Sequence, residues 1–293
     1  MKRIYFTLAV ATLFLATFIG CEKEDLFVPE KFDSNKVDNV NAIGFEIPDQ
    51  ILMSENFKIT FPETGSKWSW TPHQKTMWVA AKQWGLSDAR ANAMAGAAHM
   101  PDVYDADGHL PGTQQWRHGY VYLYGVYIKF GIADAMCASN ISGSGYNGKS
   151  AFNYYPSNKS LGDWYLGYAS HYLQDVANPW HTSANIYQQI STHTGYENWV
   201  ANNWTKGHKF QDVISVDYSY YAVTDPAAST RKLALWSNNK NTAIYNAYVA
   251  SGKPTGSGTG NTTLVNETKE LLKASCRYTK GLIKYTLDAK RAW

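Results

Sequence analysis

Charge of one sign is what this sequence has least of. Its 27 basic and 24 acidic residues give a formal charge of +3, and the first twenty residues carry Lys2 and Arg3 but no acid, so the remainder comes to +1. A balance this close to neutral argues against a broad nucleic-acid footprint. Cysteine is nearly absent too: three in 293 residues, with Cys137 and Cys276 far apart and Cys21 near the start. Beyond Cys21 there is material for at most one disulfide, and two buried thiols are as good a reading, because sequence does not decide their geometry. Internal repeats are missing, and histidine is scarce, with only eight in the chain.

The long apolar run is at the N-terminus, where Lys2 and Arg3 precede Ile4 to Gly20. This is the layout of an export signal over residues 1–20. The ending Phe18-Ile19-Gly20-Cys21 resembles a bacterial lipobox, which makes Cys21 the expected lipidated first residue of an exported protein anchored at a bacterial membrane. An uncleaved anchor helix is the alternative, the run being near the minimum that spans a bilayer. Glu22, Glu24 and Asp25 follow as a solvated tether, similar to surface-export signals of some lipoproteins.

Residues 21–67 contain Pro29, Pro48 and Pro62 and no sustained helical period, so a tether or propeptide-like segment with a short extended stretch is expected. Residues 68–293 are long enough for one core, and helical signals dominate them. Pro72 suits a first helical turn, after which Met77, Trp78, Ala81 and Trp84 recur at helical spacing; a second helix is predicted over Asp88 to Ala98. Tyr120 to Met136 fits both a strand alternation and a helix face, and its Ala-rich continuation favours helix. Asn140 to Ser160 reads as a loop, Leu161 to Val176 as a helix, and Asp225-Pro226 as the start of another. Beyond a loop from Ser251 to Thr263, Leu264, Leu271, Leu272, Leu282, Ile283 and Leu287 form the apolar stripe of a last helix. The fold class is mainly α, a single helical domain with a short N-terminal extension.

The scarce histidines are not scattered. HYLQDVANPWH begins at His171 and HTGYE ends at Glu197, so five candidate ligands fall within 27 residues. His171 and Asp175 are four apart, as are His193 and Glu197, and on helices each pair projects from one face toward a common point. His181 follows Asn178-Pro179, where a helix is expected to end. One HxxxD pair is commonplace on a solvated helix face; two such pairs with a histidine between them point to zinc.

These residues resemble the core motif of bacterial zinc-dependent phospholipases C, all-helical secreted enzymes with three zinc ions, whose fold is shared by single-strand-specific zinc nucleases. The likeness extends to Trp68 and His73, to PDVYD and WRHGY, and to the terminal SCRYTKGLIKY. By position it implies one zinc held by Asp102, His118, His171 and Asp175, and a second by His181, His193 and Glu197. His73 and a bridging Asp175 would hold a third, together with the amine and carbonyl of Trp68. The family uses an N-terminal tryptophan there, whereas Trp68 is internal; Lys67 before it offers a cleavage site that would free the amine. Asp102 is preferred to Asp105 because it follows Pro101, and it is the residue implied to orient or deprotonate the attacking water. His99, His109 and His208 have no motif position.

The resemblance implies hydrolysis of a phospholipid or another phosphodiester by a monomer. The step from His181 to His193 and the glutamate at 197 favour the phospholipase branch over the nucleases. Val103 stands where choline-selective enzymes tend to place tyrosine, and Trp68-Ser69-Trp70-Thr71 lacks their nearby acid, so a choline head group is not implied. Two alternatives stay open. One is a nuclease or nucleotide phosphatase of the same fold, which the lack of a basic stripe disfavours. The other is a zinc-stabilised surface lipoprotein that binds lipid or glycan without turnover.

Overall fold

Pro72, whose fixed φ and missing N–H cost nothing in a first turn, opens helix α1 (Pro72–Gln83), and Met77, Trp78 and Ala81 on its inner side are buried. The computed structural model describes residues 42–43, 72–102, 115–123, 128–183 and 186–293, all within one unit running Val37–Trp293. The export signal, Cys21, Lys67, Trp68, Asp105 and His109 lie outside the described residues. Helix α2 (Asp88–Ala97) starts where the Ser87 side chain accepts from the Arg90 N–H, and a helical turn at 100–102 carries Asp102.

A four-residue helix, α3 (Gln115–His118), precedes a small antiparallel pair, β2 (Val121–Leu123) with β3 (Ile128–Phe130), in which Val121 faces Phe130. This corrects the helix expected from Tyr120 to Met136. The aromatic and branched residues on alternate positions suit a pleated ribbon, and Gly131 at φ 105 breaks off any helix before α4 (Ala133–Ser142). The loop expected over Asn140 to Ser160 is likewise partly helical: α4 reaches Ser142, a 3-10 turn covers Tyr146–Gly148, and α5 spans Ala151–Tyr154. Asn140 allows this by capping in two directions, its amide donating to Met136 O and its oxygen accepting from the Tyr146 N–H.

Helix α6 (Lys159–Asp175) is the central element, buried nearly throughout from Gly162 to Asp175. Asn158 caps its start by accepting from the Leu161 N–H at 3.1 Å. It packs against α2 and α4, and Gly167 makes the approach to α2 possible, because a Cβ there would collide with the Met94 carbonyl. After Asp175 the chain turns through a 3-10 segment (Pro179–His181) that Asn178 caps, then enters α7 (Ile186–Asn202) and α8 (Phe210–Ser215).

Asp225 caps α9 (Pro226–Ala250) by accepting from the Ala227 and Ala228 N–H groups at 2.8 and 3.1 Å. Asn261 caps α10 (Thr262–Lys290), which buries Leu264, Leu271, Leu282, Ile283 and Leu287 against α1, α6 and α9. Ala42–Ile43 form strand β1, pairing antiparallel with β4 (Tyr220–Tyr221), so the segment ahead of Trp68 does contribute an extended stretch. The protein is mainly helical, as its sequence pattern leads one to expect. Cys137 and Cys276 are buried free thiols, and burial pushes them up to about 12 and about 11, which leaves both inert. Among the described residues no helix is long and apolar enough to cross a membrane.

Candidate metal centre

The close packing of α2 on α6 sets up the deeper of two side-chain clusters. Ala98 O, at the end of α2, accepts from His171 Nδ1 at 2.8 Å. A carbonyl can only accept, so the His171 proton sits on Nδ1 and Nε2 faces inward. There it lies 2.9 Å from His118 Nδ1, 3.0 Å from Asp175 Oδ2 and 3.3 Å from Asp102 Oδ1. His118 Nδ1 is itself 2.7 Å from Asp175 Oδ2 and 3.9 Å from Asp102 Oδ1. The other oxygen of the same carboxylate, Asp175 Oδ1, lies 3.3 Å from His73 Nε2. Asp175 thus turns one oxygen toward His118 and His171 and the other toward His73.

The second cluster uses the same device. His181 Nδ1 donates to His118 O at 3.2 Å, and its Nε2 turns to His193 Nε2 at 3.0 Å and Glu197 Oε1 at 3.2 Å. His193 Nε2 and Glu197 Oε1, one helical turn apart on α7, are separated by 2.8 Å. Asn178 Nδ2 donates to Glu197 Oε1 at 3.0 Å, fixing the carboxylate from outside. Tyr120 N–H donates to His181 O at 3.0 Å, so residues 118–120 hold the two clusters side by side.

In each cluster two imidazole nitrogens face each other beside a carboxylate, at 2.9 Å for His171 and His118 and 3.0 Å for His181 and His193. A shared proton or a metal ion can sit between nitrogens so placed, and several such donors converging on one point, with carboxylate oxygens beside them, make a set that suits a metal. Tetrahedral zinc, with ligand bonds of about 2.0–2.1 Å, sets its ligand atoms roughly 3.3 Å apart. The donors in His118–His171–Asp175, in His181–His193–Glu197 and in His73–Asp102–His171 lie within 4.8 Å of one another. Neutral imidazole and carboxylate are the donor types zinc takes, and carbonyls that fix the outer ring nitrogen raise ligand basicity, so the residues fit the ion.

The charges of the clusters are strongly coupled. Burial works to raise the Asp175 carboxyl, but His171, His181 and His118 outweigh it and hold it well below the usual carboxylate range. Burial opposes charge on His171 too, yet Asp175 and Asp102 carry it well above 6.5. His73 moves the other way, lowered by burial and by the neighbouring His171. Asp102, 47% exposed at the rim, is held down to about 2: the cost of desolvation is outweighed by His171. Glu197 is lowered against its desolvation by hydrogen bonds from His181 and His193.

Every implied ligand within the described residues therefore falls into one of two adjoining groups. His73, Asp102, His118, His171 and Asp175 form the first, and His181, His193 and Glu197 the second. Trp68 lies outside the described residues. His208, away from both, accepts a structural duty by donating to Thr259 O at 2.7 Å. Sequence reasoning missed Ala98, Asn178, Gln174 and His99. The first acts through its backbone carbonyl, which has no residue signature; His99 Nδ1 stands 3.9 Å from Asp102 Oδ2. No model of a known protein family matches the chain, and no curated protein matches it either.

Proposed function

We propose that this protein is a zinc-dependent phosphodiester hydrolase of the phospholipase C type. The observation that carries the reading is the pair of clusters in which imidazole nitrogens converge beside the carboxylates of Asp175 and Glu197. Asp102, His118, His171 and Asp175 would hold one zinc, His181, His193 and Glu197 a second, and His73 with Asp175 a third. Zinc there would lower the pKa of water and neutralise phosphoryl charge.

The chain's own side chains divide the remaining work. Asp175, enclosed on all sides, keeps the inner donors in register. Asp102 stands half-exposed at the rim as a carboxylate, able to accept a proton from water entering from solvent. Glu197 and His193 are open to solvent at 46% and 24%, which leaves the second cluster accessible to a substrate phosphate. Lipidation at Cys21 would bring these groups to a membrane, where phospholipid is at hand.

The test is a substrate panel. The purified protein is incubated with phosphatidylcholine, phosphatidylethanolamine, single-stranded DNA and a chromogenic phosphodiester, with and without chelator, and its zinc content is measured. Chelator-sensitive release of phosphorylated head group from the lipids is the expected result. Stoichiometric zinc without hydrolysis of any of the four substrates would instead make the protein a zinc-stabilised binding protein, and absence of zinc would end the proposal.

A further inference from the structure

Gln174 lies beside Asp175 in α6 and is 5% exposed. Its Oε1 lies 3.0 Å from His73 Nδ1, and its Nε2 lies 3.4 Å from Ser170 Oγ and 3.3 Å from Thr279 Oγ1. The two ends of a side-chain amide fill nearly the same space, so its direction is decided by its partners. Both hydroxyls are already committed as donors: Ser170 Oγ gives its proton to Gly167 O at 2.7 Å, and Thr279 Oγ1 to Ser275 O at 2.8 Å. Each hydroxyl has one proton, so toward Gln174 each can only accept. The amide NH2 must face them and the amide oxygen must face His73.

We infer that Gln174 is a positioning residue that fixes the tautomer of His73, placing the proton on Nδ1 and presenting the Nε2 lone pair to the metal position shared with Asp175. This rests on the zinc reading above and deepens it. An oxygen acceptor on one side of a ring compels the proton to that side, as the carbonyls of Ala98 and His118 do for His171 and His181. At His73 the same task falls to a side chain, itself oriented by α6 and α10 through Ser170 and Thr279. His73 comes from the first turn of α1, so the amide also ties that turn to α6. Loss of the outer partner of a metal-bound histidine typically costs about 10–100-fold in metal affinity.

The experiment compares the wild type with Gln174→Leu, Gln174→Glu and Thr279→Val. Imidazole nitrogen chemical shifts of His73, identified by comparison with His73→Asn, are recorded on chelated protein at alkaline pH, and zinc affinity is measured by equilibrium dialysis. Expected are an Nδ1–H tautomer in the wild type and in Gln174→Glu, and its loss in Gln174→Leu together with roughly tenfold or greater weakening of one zinc equivalent. Thr279→Val, which takes away one of the two acceptors that orient the amide, gives a mixture of tautomers and covers the case in which Gln174→Leu does not fold. An Nε2–H tautomer in the wild type overturns the inference, as does a leucine variant with unchanged tautomer and zinc affinity. A wild type with the Nδ1–H tautomer but no zinc uptake keeps the inference about His73 and sinks the metal reading instead.

Discussion

The two clusters are built from the same donor types but differ in enclosure. His171 and Asp175 expose 0% and 3% of their side chains, whereas His193 and Glu197 expose 24% and 46%. Position on the helices explains this: α6 runs through the core and carries its pair on a turn covered by α1, α2 and α10, while α7 carries its pair on a turn facing outward. A charge network in the core stands or falls as a unit, because any member left unpaired is desolvated without compensation; at the rim, water replaces a lost partner. On the proposed reading the deep cluster would be the anchor and the outer one the place a substrate would reach.

That contrast is broken or sharpened by four substitutions. Asp175→Ala should have the largest effect, stripping both metal positions it joins and lowering stability by about 3–5 kcal/mol, as read from denaturant unfolding and metal analysis. Unchanged metal content in that variant would remove Asp175 as the joint between them. Asp102→Asn comes next: most of the zinc stays bound but hydrolysis falls by about 10²–10⁴-fold, the usual worth of a general base, in steady-state assays. Near-normal turnover would take Asp102 out of the chemistry. Glu197→Gln should release one zinc equivalent while changing the stability of the chelated protein by under about 1 kcal/mol. A loss as large as that of Asp175→Ala would mean the two clusters do not differ in kind. Smallest is Asn178→Ala, which removes the amide holding Glu197 and should weaken the outer zinc alone, by roughly tenfold in competition with a chelating dye.

Much of this was legible in the chain. The i, i+4 spacing of His171 with Asp175 and of His193 with Glu197 is a local property, and helices realise it wherever they pack. The caps at Asp225 and the first-turn prolines Pro72 and Pro226 were readable for the same reason. The ribbon at Val121–Phe130 was not, because its alternation also suits a helix face and only the pairing of Val121 with Phe130 separates the two. Nor was the setting of Gln174, whose amide meets Thr279 more than a hundred positions away.

What the sequence alone settled was the mainly helical class and which residues carry side chains of metal-ligating type, since periodicity and donor type are carried by neighbours in the chain. Which nitrogen of each imidazole turns inward, which cluster is sealed and which is open, and how Asp175 divides its two oxygens were decided only when α2, α6, α7 and α10 came together. Those are relations between groups far apart in the chain, and such groups have no orientation toward one another until packing supplies it.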